Sequence, residues 1–489
     1  MAGQLASAPS GEKGVGNAQI QAQPVGASSS SSGRPSPDPN LVTWDSPNDP
    51  ENPKNWPASG KWMVFIPMSL FNLLSSMSSA TVAPALEAIA TDLKIRSQTL
   101  RIMSLSVYLL GSAIVPLVTS PLSEMYGRVM ILSAANIFYI IFNTLCGIAK
   151  TQNQLIAYRF LAGLGAAGPF GIGSGMNSDL FPPQDRWKAM AVFTLAPLLG
   201  TAVGPITGGF LVQYESWPWC FYVVSIAAAV VQIAAFFLLR ETYGPVLLRR
   251  KCARMRKITG NLNLYTDYDG MSSTALLHQN FIRPFRLLAT QPIIQVLSLY
   301  LAYLNGILYL MVATFPDVWT TVYHESESIA SLNYISLTVG MAIAMQLGTR
   351  IADRVYQRLR ANNGGVARPE FRLPILCAGA CIVPVGLFCN IGAAIYAGST
   401  VVQLVCVQGY LIDTYQLYAA SAMAAVMVLR SLLGFALPLI APSLYTTLGF
   451  SWGNSLLAFI AIFIGIPSPL LLWFYGERLR EKSTYARNT

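Results

Sequence analysis

Apolar runs of about 20 residues alternate with short polar connections along the whole chain. The runs lie near 62–84, 98–120, 129–149, 154–176, 189–211 and 219–239. A polar stretch follows over roughly 240–290, and the runs resume near 291–313, 331–349, 372–391, 395–413, 419–441 and 453–474. Each can cross a hydrocarbon layer of about 30 Å as a helix, which satisfies its own backbone polar groups. The pattern predicts an all-α polytopic membrane protein with twelve transmembrane helices in two pseudo-symmetric six-helix bundles. The expected organisation is a disordered N-terminal tail over 1–60, a first bundle over 61–240, a basic linker over 241–290, a second bundle over 291–475 and a C-terminal tail over 476–489. Residues 372–413 must then hold two crossings in 42 residues, with almost no turn between them.

Composition agrees with this reading. The chain is 53% hydrophobic and 11% charged, whereas soluble domains carry roughly 25% charged residues. Lys and Arg set the orientation. With the N-terminus in the cytoplasm, the connections on that side hold 18 of them, and Lys94, Arg96, Arg101 and Lys150 are the 4 outside. Both termini are therefore expected inside. The formal charge of +10 is accounted for by these loops, and no motif supports nucleic-acid binding. The first 40 residues are rich in Ser, Gly, Pro and Ala and lack the apolar stretch of a signal peptide, so the first helix is expected to serve as an uncleaved membrane signal.

Candidate chemistry is sparse. The seven cysteines form no CxxC pair, and His278 and His324 lie far apart, so neither a metal nor a cofactor is expected. No phosphate-binding GxxxxGK[ST] loop, HExxH or GxSxG occurs, which leaves ATP-driven transport and enzymatic catalysis without a visible group. The fifth run stands out. In "LLGTAVGPITGGF" (198–210), Gly200, Gly204 and Gly208 recur every four residues, beside Pro205 and Gly209. Each glycine costs a helix about 1 kcal/mol against alanine and an interior proline about 3 kcal/mol. The spacing makes one smooth face for close helix approach, and Pro205 permits a bend. Static packing and a bent helix sliding on a partner are both open on these residues alone.

The stretch G200–G209 resembles the antiporter motif of the major facilitator superfamily. "RFLAGLGAAG" (159–168) is similar to the family's proton-transfer motif, and "PLSEMYGR" (121–128) to its helix two–three loop motif. "TWDSPNDPENPKNW" (43–56), "LRETYGPVLLRRKCARMRKITGN" (239–261), "RPEFRLP" (368–374) and "YAASAMAAVMVLRS" (418–431) resemble the fungal twelve-span drug:proton antiporter group, and the likeness runs from about residue 41 to 482. There are departures. Ser120 stands where the loop motif has glycine, Val129 where it has a second basic residue, and the segment between "PVGLF" (384–388) and "YLIDTY" (410–415) is short.

The resemblance implies a secondary transporter that rocks between two open states and exports small hydrophobic organics in exchange for protons. It implies a monomer in the plasma membrane whose partners are a small-molecule substrate, protons and the lipid bilayer, with no nucleic acid. Carriage of polyamines or other small solutes, or a sensor that keeps the fold without transport, are the alternatives. Arg159 would sit on the central cavity, although about 10 Å into its helix it also has the reach to snorkel outward. Arg430, near a midplane, calls for a cavity or a buried partner. Glu124, Gly127 and Arg128 would form a charge latch against the opposite half, with Asp353 and Arg354 as its copy in the second half. Asn72 and Ser76 in helix one, and Tyr303, Asn305 and Tyr309 in helix seven, are candidates for a mixed aromatic and polar substrate wall or for plain interhelical hydrogen bonds. No Asp or Glu lies at the centre of any run, so no proton carrier is assigned.

Overall fold

Every apolar run becomes helix in the computed structural model, which describes residue 38 and residues 40–181, 186–267, 273–366, 368–388, 392–415, 418–483 and 485–486. The first half comprises α1 (Ala58–Thr81), α2 (Leu86–Asp92), α3 (Gln98–Tyr126), α4 (Arg128–Gly147), α5 (Gln152–Ala166), α6 (Gly168–Leu180), α7 (Arg186–Tyr214) and α8 (Trp219–Leu238). Two helices, α9 (Gly244–Thr259) and α10 (Ser273–Thr290), form the connection. The second half comprises α11 (Pro292–Thr321), α12 (Glu327–Leu332), α13 (Ile335–Ile343), α14 (Thr349–Asn362), α15 (Leu373–Phe388), α16 (Gly392–Thr414), α17 (Ala419–Gly465) and α18 (Pro467–Lys482). No strand forms among the described residues beyond a single bridge between Leu41 and Tyr265.

Eleven segments of the described chain are long and apolar enough to cross a membrane. The last, Ser421–Lys482, has 62 residues, about 90 Å as a straight helix and three times the depth of a hydrocarbon layer. It turns at Gly449, whose φ of 70° and ψ of 169° break the helix. Glycine adopts that region without a Cβ penalty. The segment is long enough for two crossings, which is consistent with twelve in all among the described residues. The α8 face carrying Phe236 and Phe237 is 79% and 77% exposed, and Phe463 is 82% exposed. Such apolar surface would be costly in water, and a bilayer solvates it. The chain is a multi-pass membrane protein.

The cramped region holds its two crossings. Glycines make this possible: a Cβ on Gly386 would lie 2.7 Å from the Tyr396 backbone nitrogen, and one on Gly392 would collide with the Gly386 carbonyl. α15 and α16 therefore meet backbone to backbone. Residues 389–391, including Cys389, lie outside the described residues.

Within the first half α1 packs along α7, α3 along α5, and α4 against α5 and α8. In the second half α11 packs along α17, and α16 against α13 and α15. The halves meet through α3 with α17 and α7 with α12, and α10 touches both α3 and α17. Connections alternate between two faces, called below the linker face, which bears α9 and α10, and the far face.

Most of the tail expected to be disordered, residues 1–37 and 39, lies outside the described residues. Its last part is a built element, contrary to the expectation of disorder to residue 60. The Val42 amide donates to the Tyr265 carbonyl (2.8 Å), and the Tyr265 amide to the Asn40 carbonyl (2.9 Å). Asn52 accepts from the Lys54 amide at 3.1 Å and caps a short turn. Lys251 of α9 reaches both Asp45 (2.7 Å) and Asp49 (3.2 Å), and Arg254 reaches Glu51 (2.6 Å). Amide donation from Asp45 is the main force holding the Asp49 carboxyl below its usual range; desolvation opposes it, and the Glu51 amide and Lys251 add to it. Composition alone made this segment look loose because its acids find their basic partners some 200 positions away, 202 for Asp49 and Lys251.

Candidate functional site

Arg159 lies on α5 and is 0% exposed, so the snorkelling alternative is ruled out. Its Nε donates to the Ser104 carbonyl (3.1 Å), Nη1 to Ser78 (3.2 Å) and Nη2 to Leu105 (3.4 Å). The guanidinium lies 4.6 Å from the Tyr108 ring centroid and 5.8 Å from that of Phe221. Carbonyl oxygens from α1 and α3 plus two π faces thus replace a carboxylate as its solvation, which makes a buried cation tolerable. Around it, Tyr108 donates to the Ser75 carbonyl (2.9 Å), and Ser78 to Asn143 (3.0 Å). The arginine is enclosed in the first half and does not open onto a cavity.

From this cage a polar line crosses to the second half. Ser79, next to Ser78, shares a hydrogen bond with the Tyr309 hydroxyl of α11 at 3.1 Å. One helical turn earlier, Asn305 accepts from Arg430 Nε (3.0 Å) and donates back to the Arg430 carbonyl (3.1 Å). Gly434 of α17 lets α11 come close, since a Cβ there would lie 2.7 Å from Asn305 Nδ2 and 3.1 Å from Leu109 of α3. Tyr309, Asn305 and Arg430 are therefore brought together at the meeting of the halves. Three other candidates go elsewhere. Asn72 donates to the Phe193 carbonyl of α7 (3.3 Å), Tyr303 to the Leu457 carbonyl (2.5 Å), and the Ser76 carbonyl accepts from Ser79 (2.7 Å). The bonds of Asn72 and Tyr303 tie helices within one half, and that of Ser76 stays within α1.

The glycine face of α7 also has a definite partner. Cβ atoms at Gly200, Gly204 and Gly208 would run into the carbonyls of Leu73, Met77 and Thr81, in register every four residues. The partner is α1, in the same half, rather than the opposite half. The helix runs unbroken through Pro197 and Pro205. Gly209, one residue round the helix, is the one that faces across: its Cβ would collide with the Ser331 side chain and lie 2.9 Å from the Glu327 carbonyl of α12.

At the linker face the contacts recorded for Arg128 lie in the first half rather than across to the second. Arg128 bonds to Asp179 of α6 (3.2 Å) and Ser123 (2.8 Å), with Glu124 at 3.9 Å, and stacks 4.7 Å from the Tyr243 ring centroid. Its amide donates to Glu241 at 3.0 Å. Gly127 has φ 107° and would otherwise press a Cβ into the Glu241 carboxylate. Asp353 and Arg354 do not form the copy; both are exposed on α14. The repeat is Arg372, which pairs with Asp413 of α16 (2.7 Å) and lies 5.0 Å from the Tyr356 ring centroid. In each half the guanidinium sits over a glycine four residues before the aspartate. Cβ atoms at Gly175 and Gly409 would lie 2.6 and 2.7 Å from the two Cζ atoms. The signal was present as "GMNSD" (175–179) and "GYLID" (409–413), but proximity in sequence drew attention to Asp353 instead.

The far face holds the other closure. Arg101 of α3 pairs with Glu87 in its own half and with Asp317 of α11 across the gap (3.1 Å). Gln213 of α7 accepts from the Ser328 amide of α12 at 3.0 Å. A cavity of about 580 Å³ lies there, lined by Glu87, Arg101, Asp317, Glu327 and Tyr445 among others.

Two helical halves with a polar meeting point midway and a bonded closure at one face define a membrane carrier fold. The Major Facilitator Superfamily model matches residues 68–412, and the chain belongs to that family. It is 45% identical over 494 residues to "Efflux pump vrtL" of Penicillium aethiopicum, covering 98% of each chain. It is 42% identical over 460 residues to "Efflux pump radE" of Floropilus chiversii, covering 91% of this chain and 85% of that one. Among solved structures it is similar to the partially occluded inward-open xylose transporter XylE from E. coli, with a TM-score of 0.64 at 15% identity over 86% of this chain and 98% of that one.

Proposed function

We propose that this protein is a proton-coupled exporter of small, largely hydrophobic organics of the secondary-metabolite type, acting by alternating access. It acts as a single chain in the plasma membrane, linker face and both termini inward, and catalyses no chemical conversion. The observation that carries this reading is the polar line Ser79–Tyr309 and Asn305–Arg430 at the junction of the halves, midway between the linker-face arginine stations and the far-face closure. Two relatives alike over nearly their full length are named efflux pumps. The 18 to 4 distribution of basic residues supports the orientation. The departures at Ser120 and Val129 leave the Arg128 contacts intact, which favours a working carrier over a sensor.

In vesicles loaded with the neutral dye Nile red and acidified outside, protein with its far face outward is expected to expel dye. A protonophore is expected to stop this flux. Gradient-independent leakage equal to that of empty vesicles, for Nile red and a broad panel of organics, would contradict the reading.

A further inference from the structure

Arg159 and Arg430, two arginines inside apolar spans, differ in one respect that bears on the solute. Each nitrogen of Arg159 has a carbonyl acceptor, so that side chain is engaged at all three nitrogens in holding α1, α3 and α5. Arg430 has an oxygen acceptor recorded only at Nε, from Asn305, among the described residues. Its Nη1 has a thioether, Met427 Sδ at 3.7 Å, and no oxygen acceptor is recorded for either Nη group among the described residues. It also keeps part of its surface open, unlike Arg159. Asn305 uses both ends of its amide on this one residue, which fixes the guanidinium while its Nη groups meet only a weak thioether acceptor among the described residues.

Among the described residues no carboxylate is recorded in an ion pair or hydrogen bond with Arg430, whose recorded side-chain partners are Asn305 and Met427. The sequence has no Asp or Glu between Asp269 and Asp317, which spans nearly all of α11, and none between Asp413 and Glu477, which spans all of α17. The carboxylates bonded near the ends of these helices are committed, Asp317 to Arg101 and Asp413 to Arg372. A fixed cation with weakly engaged donors in a low-dielectric interior is matched by an incoming anion and repels an incoming cation.

We infer that the site favours solutes that carry an acidic group, a carboxylate or an acidic phenol, which docks on the Nη donors of Arg430 while Asn305 holds that side chain in position. This rests on the transporter reading and names the substrate class of the same site. It disfavours polyamines as cargo.

The test uses the whole protein in vesicles and two dyes built on one xanthene ring system, fluorescein (anionic) and rhodamine 123 (cationic), with Nile red as the neutral reference. The wild type is expected to expel fluorescein about tenfold faster than rhodamine 123, as one charge-assisted hydrogen bond implies. In Arg430→Gln the fluorescein KM is expected to rise about tenfold and the ratio of the two dyes to collapse towards one, with Arg430→Lys intermediate. Rhodamine 123 moved by the wild type as fast as fluorescein, or a ratio unchanged in Arg430→Gln, would overturn the inference and leave the transporter reading standing if Nile red still moves. Absence of gradient-driven flux for all three dyes would overturn both.

Discussion

Gly208→Val is expected to abolish export and to lower the thermal stability of the purified protein by about 3 kcal/mol or more, at or above the upper end for an overpacked core. The reason is the partner's chemistry. A Cβ at Gly208 would occupy the place of the Thr81 carbonyl, and one at Gly204 would lie 2.6 Å from the Met77 carbonyl. Backbone of a packed helix has no flexible end to swing aside, so α1 and α7 must separate along their whole contact. Gly209→Ala is expected to behave differently. Its obstacle is Ser331 and Glu327 of the other half, so the protein should fold, unfold near the wild-type temperature, and lose export because the far face no longer closes. Thermal unfolding in detergent beside dye flux in vesicles separates the two. Normal export by Gly208→Val would sink the packing argument.

Arg128→Gln carries the second large effect. Its guanidinium side chain is 6% exposed, and that of its partner Asp179 is 16% exposed. Removing the cation strands a largely buried carboxylate, at a cost of about 3 kcal/mol, the low end for broken buried pairs because Asp179 keeps some water. Arg128→Lys should recover only part of this, since one ammonium cannot bond Asp179 and Ser123 together while stacking on Tyr243. The double variant Arg128→Gln with Asp179→Asn should be less destabilised than the sum of the two single changes. Strict additivity in that cycle would show that the pair is not coupled.

The sequence made the helices legible because hydrophobic length is a one-dimensional property, and a bilayer imposes it on each segment separately. It also marked Arg159, Arg430, Arg128 and the α7 glycines, each an oddity against its local background. What it could not supply was the partner of each. The glycine spacing declared a smooth face, but only the fold shows that this face meets α1, which begins 128 residues before α7. Arg101 and Asp317 are 216 positions apart, and nothing local to either announces the other. Asp353 and Arg354 show the opposite failure: near neighbours in sequence, they suggested a second-half counterpart of the Arg128 cluster, whereas the matching ion pair is Arg372 with Asp413, 41 positions apart. The repeated glycine-to-aspartate spacing at 175–179 and 409–413 was the readable clue to that pair.

Alternating access requires the halves to part and rejoin at the far face in each cycle. Cysteines at Gln213 and Ser328, whose side-chain oxygen and backbone amide now lie 3.0 Å apart across the two halves, test it most directly. Oxidation to a disulfide should stop dye export in vesicles, and reduction should restore it, with the parent protein unaffected by either treatment. Undiminished export with the crosslink fully formed would contradict the claim.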